Sequence, residues 1–285
     1  MIKKMEKYIH EKGMNFYDLA VMTDEGIKSC KLQPCNHCND SYSITKAFTM
    51  TAIGLLVDRG MLQVEDRIVD LLKDYVPEDI DPKWELVTVE HSLKHRIGNA
   101  AEFMDIDSCD ANEFGTKDYL SFVFRQPLKH IPGTVYVYND AGFYLLGRVV
   151  HAVSGETMER FLMKNLLYFM DFSEIAWSIC PHGHPIAGTG LYVRAKDMVK
   201  LAWLYMNGGV YEGRRLLSEK WINQVIERQY ELSPIIPGSY IVGKGGMNGQ
   251  MICFSEKNRI AVAWHSYEPN GGDKLFIDFL HEILK

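Results

Sequence analysis

The 285-residue chain has room for one large domain or two lobes sharing a core. Hydrophobic residues make up 47% and charged residues 24%, an ordinary globular composition. A net charge of −6 with no long basic run argues against nucleic-acid binding, and no apolar run approaches the length of a membrane span. Met1 to Lys7 carry charges with no apolar stretch behind them, so no secretory signal is read and a cytoplasmic location is expected.

In chain order, Ile2, Met5, Tyr8 and Ile9 recur at helical spacing and Gly13 closes the pattern, which predicts an amphipathic N-terminal helix. Residues 16–22 predict a strand, Asp24-Glu25-Gly26 a turn, and residues 27–31 its hairpin partner. Six cysteines follow no complete metal-ligand spacing. Cys35-Asn36-His37-Cys38, with Cys30 nearby, suggests a metal knuckle but lacks a second Cys/His pair, so reduced thiols are expected.

Residues 47–57 are apolar on nearly every face, the mark of a helix buried all round, and Gly60 ends it. Shorter helices are predicted at 67–75, from Val89 to Leu93, and at 116–124, with a loop at 96–115. Stronger ones span 141–153, closed by Gly155, and 157–167. A strand-like piece at 187–193 precedes a helix at 195–206, and Ser218 caps another at 219–228. Strands at 240–242, 247–254 and 260–264 and a helix at 274–284 complete the chain. The two ends are expected to pair in one antiparallel sheet around an inserted helical lobe. Residues 1–60 with 187–285 would form the sheet lobe, residues 61–186 the helical lobe, and a cleft between lobes is the default place for a site.

Three clusters carry chemical potential. Ser43 and Lys46 stand three apart at the head of the buried helix, so one turn puts them on the same face. An ammonium there needs a partner, and a serine at a helix N-terminus has backbone N–H groups beside it for a developing oxyanion. Tyr138-Asn139-Asp140 opens the next strong helix, and Gly243-Lys244-Gly245-Gly246-Met247 lets backbone approach a ligand closely. Taken singly, each has an ordinary alternative: a capped helix with a solvated Lys, an aromatic packing residue before an Asn/Asp cap, and a flexible hairpin.

Their order, S-x-x-K, then Tyr-x-Asp, then Lys-x-Gly, resembles the penicillin-recognising serine hydrolases, in particular the branch of class C β-lactamases, D-alanyl-D-alanine carboxypeptidases and family VIII esterases. The resemblance extends from about residue 15 to the end. It includes Gly60-Met61-Leu62-Gln63-Val64-Glu65-Asp66, Val87 to His95, Gly142-Phe143-Tyr144-Leu145-Leu146-Gly147, and Ala187-Gly188-Thr189-Gly190-Leu191. It implies a β-lactamase/transpeptidase-like α+β fold, an antiparallel sheet flanked by helices, with no cofactor and no metal. The substrate implied is a small molecule or short peptide with a scissile carbonyl. Ser43 would be the acyl-accepting nucleophile, Lys46 and Tyr138 would move its proton, and Lys244 would attract a substrate carboxylate. Asp140 and Gly246 would line the substrate side, and the backbone N–H groups of Ser43 and Met247 would form the oxyanion hole.

Three departures from the family pattern bear on function. Asp140 stands in place of an Asn, and a carboxylate near Lys46 would hold that Lys charged and leave the base to Tyr138. Gly245 replaces the threonine of Lys-Thr-Gly, and His95-Arg96-Ile97-Gly98 puts an Arg and an Ile where a His-Thr-Ser-Gly loop carries small polar residues. These changes favour an esterase or peptidase over an efficient β-lactamase. The competing readings are a catalytically silent ligand-binding or regulatory domain on the same fold, and a thiol or zinc module around Cys30 to Cys38.

Overall fold

The computed structural model describes all 285 residues. The chain forms two compact units: Met1–Ala47 with Leu167–Ala176 and Leu191–Lys285, and Phe48–Leu166 with Trp177–Gly190. The first cut falls between Ala47 and Phe48, inside a helix, where the sequence reading placed a boundary at residue 60.

The first unit is built on a six-stranded antiparallel sheet. Its order is Gly26–Lys31, Phe16–Thr23, Ile260–Ser266, Met251–Ser255, Val242–Gly245 and Ser233–Pro234. The two ends of the chain therefore pair directly, with Leu19 opposite Trp264 and Val21 opposite Val262. Alternation sends Leu19, Val21, Cys253, Val262 and Trp264 to one face, where they pack on Met5 and Ile9 of the Ile2–Glu11 helix and on Phe276 and Leu280 of the Lys274–Ile283 helix. Phe16, Trp264 and Phe276 have ring centroids 5.0 to 5.8 Å apart. Such pairs add about 1 kcal/mol each beyond the area they bury. The other face takes the Ala195–Met206 helix, from which Met198 to Met206 are all buried. Covered on both sides, the Ile260–Ser266 strand is buried along its whole length and is apolar without alternation from Ile260 to Trp264.

The second unit is helical. Its centre is the Ala141–Ser154 helix, buried from Ala141 through Val150 and ended by Gly155 in the left-handed region (φ +73). Ile68–Leu71, Val89–Leu93 and Met158–Asn165 pack around it. The Tyr119–Phe124 helix starts three residues later than the pattern suggested, because the Asp118 carboxylate caps it by accepting from the Ser121 amide. No helix is long and apolar enough to cross a membrane.

Several strand predictions shift. Of 187–193 only Leu191–Val193 is a strand, since Ala187 (φ +66) and Gly190 (φ +80) bend the backbone before it. The strand expected at 247–254 begins at Met251, and residues 246–249 form the turn that joins it to Val242–Gly245. Lys244 thus lies on the earlier strand, opposite Ile252, and Met247 lies in the turn rather than on a strand. The short strands Asn39–Asp40 and Ile175–Trp177, which join Leu191–Val193 in a second sheet, are not predicted by the sequence pattern.

Candidate active site

Ser43, Lys46, Lys244, Gly246 and Met247 belong to the first unit, and Tyr138 and Asp140 to the second.

Ser43 sits in a 3-10 turn, Tyr42–Ile44, that runs straight into the Thr45–Asp58 helix. In a three-residue turn, positions i and i+3 eclipse, and the Lys46 ammonium donates to Ser43 Oγ at 3.0 Å. Lys46 is fully buried while Ser43 is half-buried. The helix is closed to solvent from Thr45 to Leu56, which pins the Lys46 stem and fixes its ammonium. The backbone before Ser43 is held tightly. Ser41 donates twice to the Leu191 carbonyl, through its N–H (2.9 Å) and its hydroxyl (2.8 Å). The Thr45 hydroxyl donates to the Tyr42 carbonyl (2.6 Å) and accepts from the Leu191 N–H (3.1 Å). Tyr42 itself is in the left-handed region (φ +47), a strained setting beside a candidate nucleophile. Its amide is taken by Asp40, whose carboxyl is raised above its ordinary range by burial, with that amide and the Tyr192 hydroxyl working against the rise.

The strand carrying Lys244 runs beside the Ser43 turn. A Cβ on Gly246 would lie 2.7 Å from the Ser41 carbonyl oxygen and 2.7 Å from Gln250 Oε1, so this position admits only a glycine without displacement. The Gly246 N–H donates to the Gln250 carbonyl at 2.8 Å, which holds the turn, and Met247 is half exposed after it. Lys244 is not an open ammonium: it forms an ion pair with Glu231 at 2.5 Å, and the Glu231 side chain is only 2% exposed. Glu231 was not among the residues the sequence marked. It precedes the Ser233–Pro234 strand, which pairs with the strand of Lys244.

In the second unit Tyr138 packs on His95, with centroids 4.3 Å apart, and His95 also meets Phe143 and Tyr136. His95 Nδ1 accepts from the Asn139 N–H at 3.3 Å, and the His95 carbonyl accepts from Val137 N–H at 2.9 Å. His95 therefore holds the Tyr138 segment from both its ring and its backbone. Asn139, fully buried, supplies the helix cap: its Oδ1 accepts from Gly142 N–H at 2.8 Å while its amide donates to the Val137 carbonyl and to Asn99. Asp140 occupies the N-cap position but its carboxylate makes no cap bond. Its carboxylate instead gathers with those of Asp105 and Asp107, one oxygen of each lying within 4.8 Å of the others. Thr189 donates to Asp107 at 2.5 Å, Ser108 donates to Asp105, and Gly188 passes so close over Asp140 that a Cβ there would sit 2.9 Å from the carboxylate. Asp105 and Asp107 lie in the stretch the sequence marked only as loop.

The two residues that depart from the His-Thr-Ser-Gly pattern are both engaged within the fold. Ile97 is fully buried, so it is a packing residue and not a surface beside a site, and the Arg96 guanidinium donates to the Gly133 carbonyl at 3.2 Å. The six cysteines are all free, and burial raises the Cys30 thiol to about 11 and lifts that of Cys38. Cys38 Sγ donates to the Glu174 carbonyl and Cys35 Sγ to that of Tyr17.

Comparisons with known proteins place the chain among penicillin-binding-protein and β-lactamase relatives. Penicillin-binding protein 4 of Amycolatopsis lactamdurans is 26% identical over 208 residues, which cover 62% of this chain and 53% of that protein. The chain spans between about a third and a half of the length of the first curated relatives it matches. Among solved structures, a penicillin-binding protein from Bacillus halodurans superposes with a TM-score of 0.71 at 20% identity, covering 98% of this chain and 99% of that one. A family VIII carboxylesterase gives a TM-score of 0.76 at 13% identity, covering 100% and 96%. These likenesses show a β-lactamase/transpeptidase-like fold. The Beta-lactamase family model matches residues 36–279, from just before the Ser43 turn into the last helix, and the chain belongs to that family.

Proposed function

We propose that this chain is a serine hydrolase working through an acyl-enzyme on Ser43. The Ser43 hydroxyl oxygen attacks a carbonyl carbon as its proton passes to Tyr138 with the help of Lys46. The resulting oxyanion is met by the backbone N–H groups of Ser43 and Met247, a donor of this kind being worth about 3 kcal/mol of barrier. Collapse breaks the bond to the alcohol or amine, which leaves with the proton. Water then attacks the Ser43 ester, releasing the acid and restoring the hydroxyl.

The observation that carries this reading is the 3.0 Å hydrogen bond from a fully buried Lys46 to a half-buried Ser43. Burying a lysine beside a serine hydroxyl is a costly arrangement with an evident use in proton transfer. The relatives named as penicillin-binding protein and carboxylesterase support acyl transfer as the reaction class.

We further infer that the substrate is a neutral ester or amide, a small molecule or short peptide, rather than a β-lactam or a peptide with a terminal carboxylate. Glu231 already neutralises Lys244, and Gly245 offers no hydroxyl where Lys-Thr-Gly would. Intact-mass analysis after incubation with a fluorophosphonate is expected to show one adduct per chain, lost in Ser43→Ala. Short-chain aryl esters are expected to be turned over and a chromogenic cephalosporin hardly at all. Small-molecule binding without any covalent adduct would instead identify a silent binding domain.

A further inference from the structure

A second site lies within the helical unit. Arg148, on the Ala141–Ser154 helix, is only 4% exposed, yet no carboxylate lies within ion-pairing distance of it. One guanidinium N–H donates to the Tyr144 hydroxyl at 3.3 Å, and Nε is buried with no acceptor. The rings of Tyr75 and Tyr144, 5.1 and 6.0 Å from the guanidinium carbon, provide aromatic faces and no counter-charge. A buried, always-charged guanidinium without an anion is an expensive arrangement, because desolvation is not offset by pairing.

The guanidinium lines a cavity of about 570 Å³, a size typical of small-ligand sites. His182, His184, Arg125 and Ser121 share its wall. His184 is pushed down to about 4, by burial first and then by the charges of Arg148 and the neighbouring histidines, so at neutral pH it adds a ring nitrogen and no charge. Its Nδ1 is buried without a partner. Two acidic residues also line the cavity, Asp118, whose carboxylate caps the Tyr119–Phe124 helix, and Asp74; both are exposed, so water and salt screen their charges far more than that of the buried Arg148. Along a helix rising about 1.5 Å per residue, Arg148 lies roughly 12 Å from Asp140, so this cavity is separate from the residues assigned to acyl transfer.

We propose that this cavity binds a small molecule through a phosphate or carboxylate group held by the Arg148 guanidinium, with Arg125 and His182 at the rim. The planar fork of an arginine matches the oxygens of either group in a bidentate arrangement. Arg125 already reaches toward Asp79 at 3.3 Å on the exposed surface, a weak tie that an incoming anion displaces at little cost.

The test is a thermal-unfolding titration of the full chain with inorganic phosphate and, separately, with succinate, each against sodium chloride of equal ionic strength. Both anions are expected to raise Tm saturably above the chloride control, and the rise is expected to vanish in Arg148→Met. A response to phosphate alone assigns a phosphoryl ligand, and to succinate alone a carboxylate. Should Arg148→Met fail to fold, the surface variant Arg125→Gln combined with His182→Asn is expected to weaken the apparent affinity at least fivefold while leaving aryl-ester turnover unchanged. No rise above chloride with either anion overturns the proposal, as does an unaltered response in either variant.

Discussion

Glu231 closes on Lys244 at 2.5 Å and is itself almost wholly out of solvent. The pair decides what charge the end of the Val242–Gly245 strand presents, and it gives the first prediction. Replacing Glu231 by Gln removes the negative partner and leaves Lys244 to seek another anion. Aryl esters that carry a carboxylate on the acyl side are expected to show a KM about tenfold lower in Glu231→Gln, equivalent to about 1.4 kcal/mol, while neutral esters are unaffected. Lys244→Met, which takes the ammonium away from a buried carboxylate, is expected to cost about 3 kcal/mol of stability. Equal KM changes for both ester classes would refute the charge argument.

Lys46 gives the second. Its stem is packed on all sides in the Thr45–Asp58 helix and its ammonium ends on Ser43 Oγ. Lys46→Met preserves most of that packing and removes the proton-handling group. The second-order rate of fluorophosphonate labelling, followed by intact mass, is expected to fall by about 10² to 10⁴. Labelling at the wild-type rate would leave Lys46 a structural residue.

Adjacent glycines supply the third, as an internal control. A Cβ on Gly245 would meet only Met251 Cε at 3.5 Å and the Gln250 carbonyl at 3.6 Å, which are ordinary contacts. A Cβ on Gly246 would press on the Ser41 carbonyl and on Gln250 at 2.7 Å, two residues from Ser43. Gly246→Ala is therefore expected to lower kcat about 100-fold by displacing the turn that carries the Met247 N–H, and Gly245→Ala to change it by less than about threefold. Parallel steady-state assays on a neutral aryl ester check both, and similar losses in the two variants would remove the turn from the oxyanion site.

The fourth concerns His95, which touches Tyr138 by its ring and Asn139 by its Nδ1. His95→Phe keeps an aromatic face for Tyr138 but leaves the buried Asn139 N–H without its acceptor. A loss of about 1 to 3 kcal/mol in stability is expected. Because Tyr138 does not bind substrate in the ground state under the proposed mechanism, kcat is expected to fall with KM nearly constant. A change confined to KM would place His95 on the binding side instead.

What the sequence revealed and what it hid follow from the range of each interaction. Ser43 and Lys46 were legible together because a single turn joins them, and the all-apolar run behind them admits only a buried helix. The hairpin around Asp24-Glu25-Gly26 and the Ala195–Met206 helix announce themselves by local turn chemistry and by length. Two-residue ladders such as Asn39–Asp40 carry no period to detect, and the Gly246–Gly249 turn was absorbed into a strand because the glycines look permissive of either. Glu231 was invisible because nothing near it in the chain marks a partner; only the pairing of Ser233–Pro234 with Val242–Gly245 brings it to Lys244. Asn139 and Asp140 look interchangeable as caps in the sequence, and the structure gives the cap to Asn139.

The last prediction is a pH dependence with its sign worked out. His184 is depressed from 6.5 to about 4 in the folded chain, first by burial and then by Arg148, His151 and His182. The unfolded chain therefore binds a proton at pH values where the folded chain does not. Stability contributed by the neutral ring is fully present above about pH 6.5 and is lost as pH falls toward 4. The ring is only partly buried, so after discounting for solvent screening the loss is about 1 to 2 kcal/mol. Urea unfolding in chloride buffers at pH 7.0, 6.0, 5.0 and 4.5 is expected to show this decline, and His184→Gln to flatten that part of it. An identical decline in His184→Gln would assign the acid sensitivity to other groups, because the amide keeps a polar atom at the site but cannot titrate in this range.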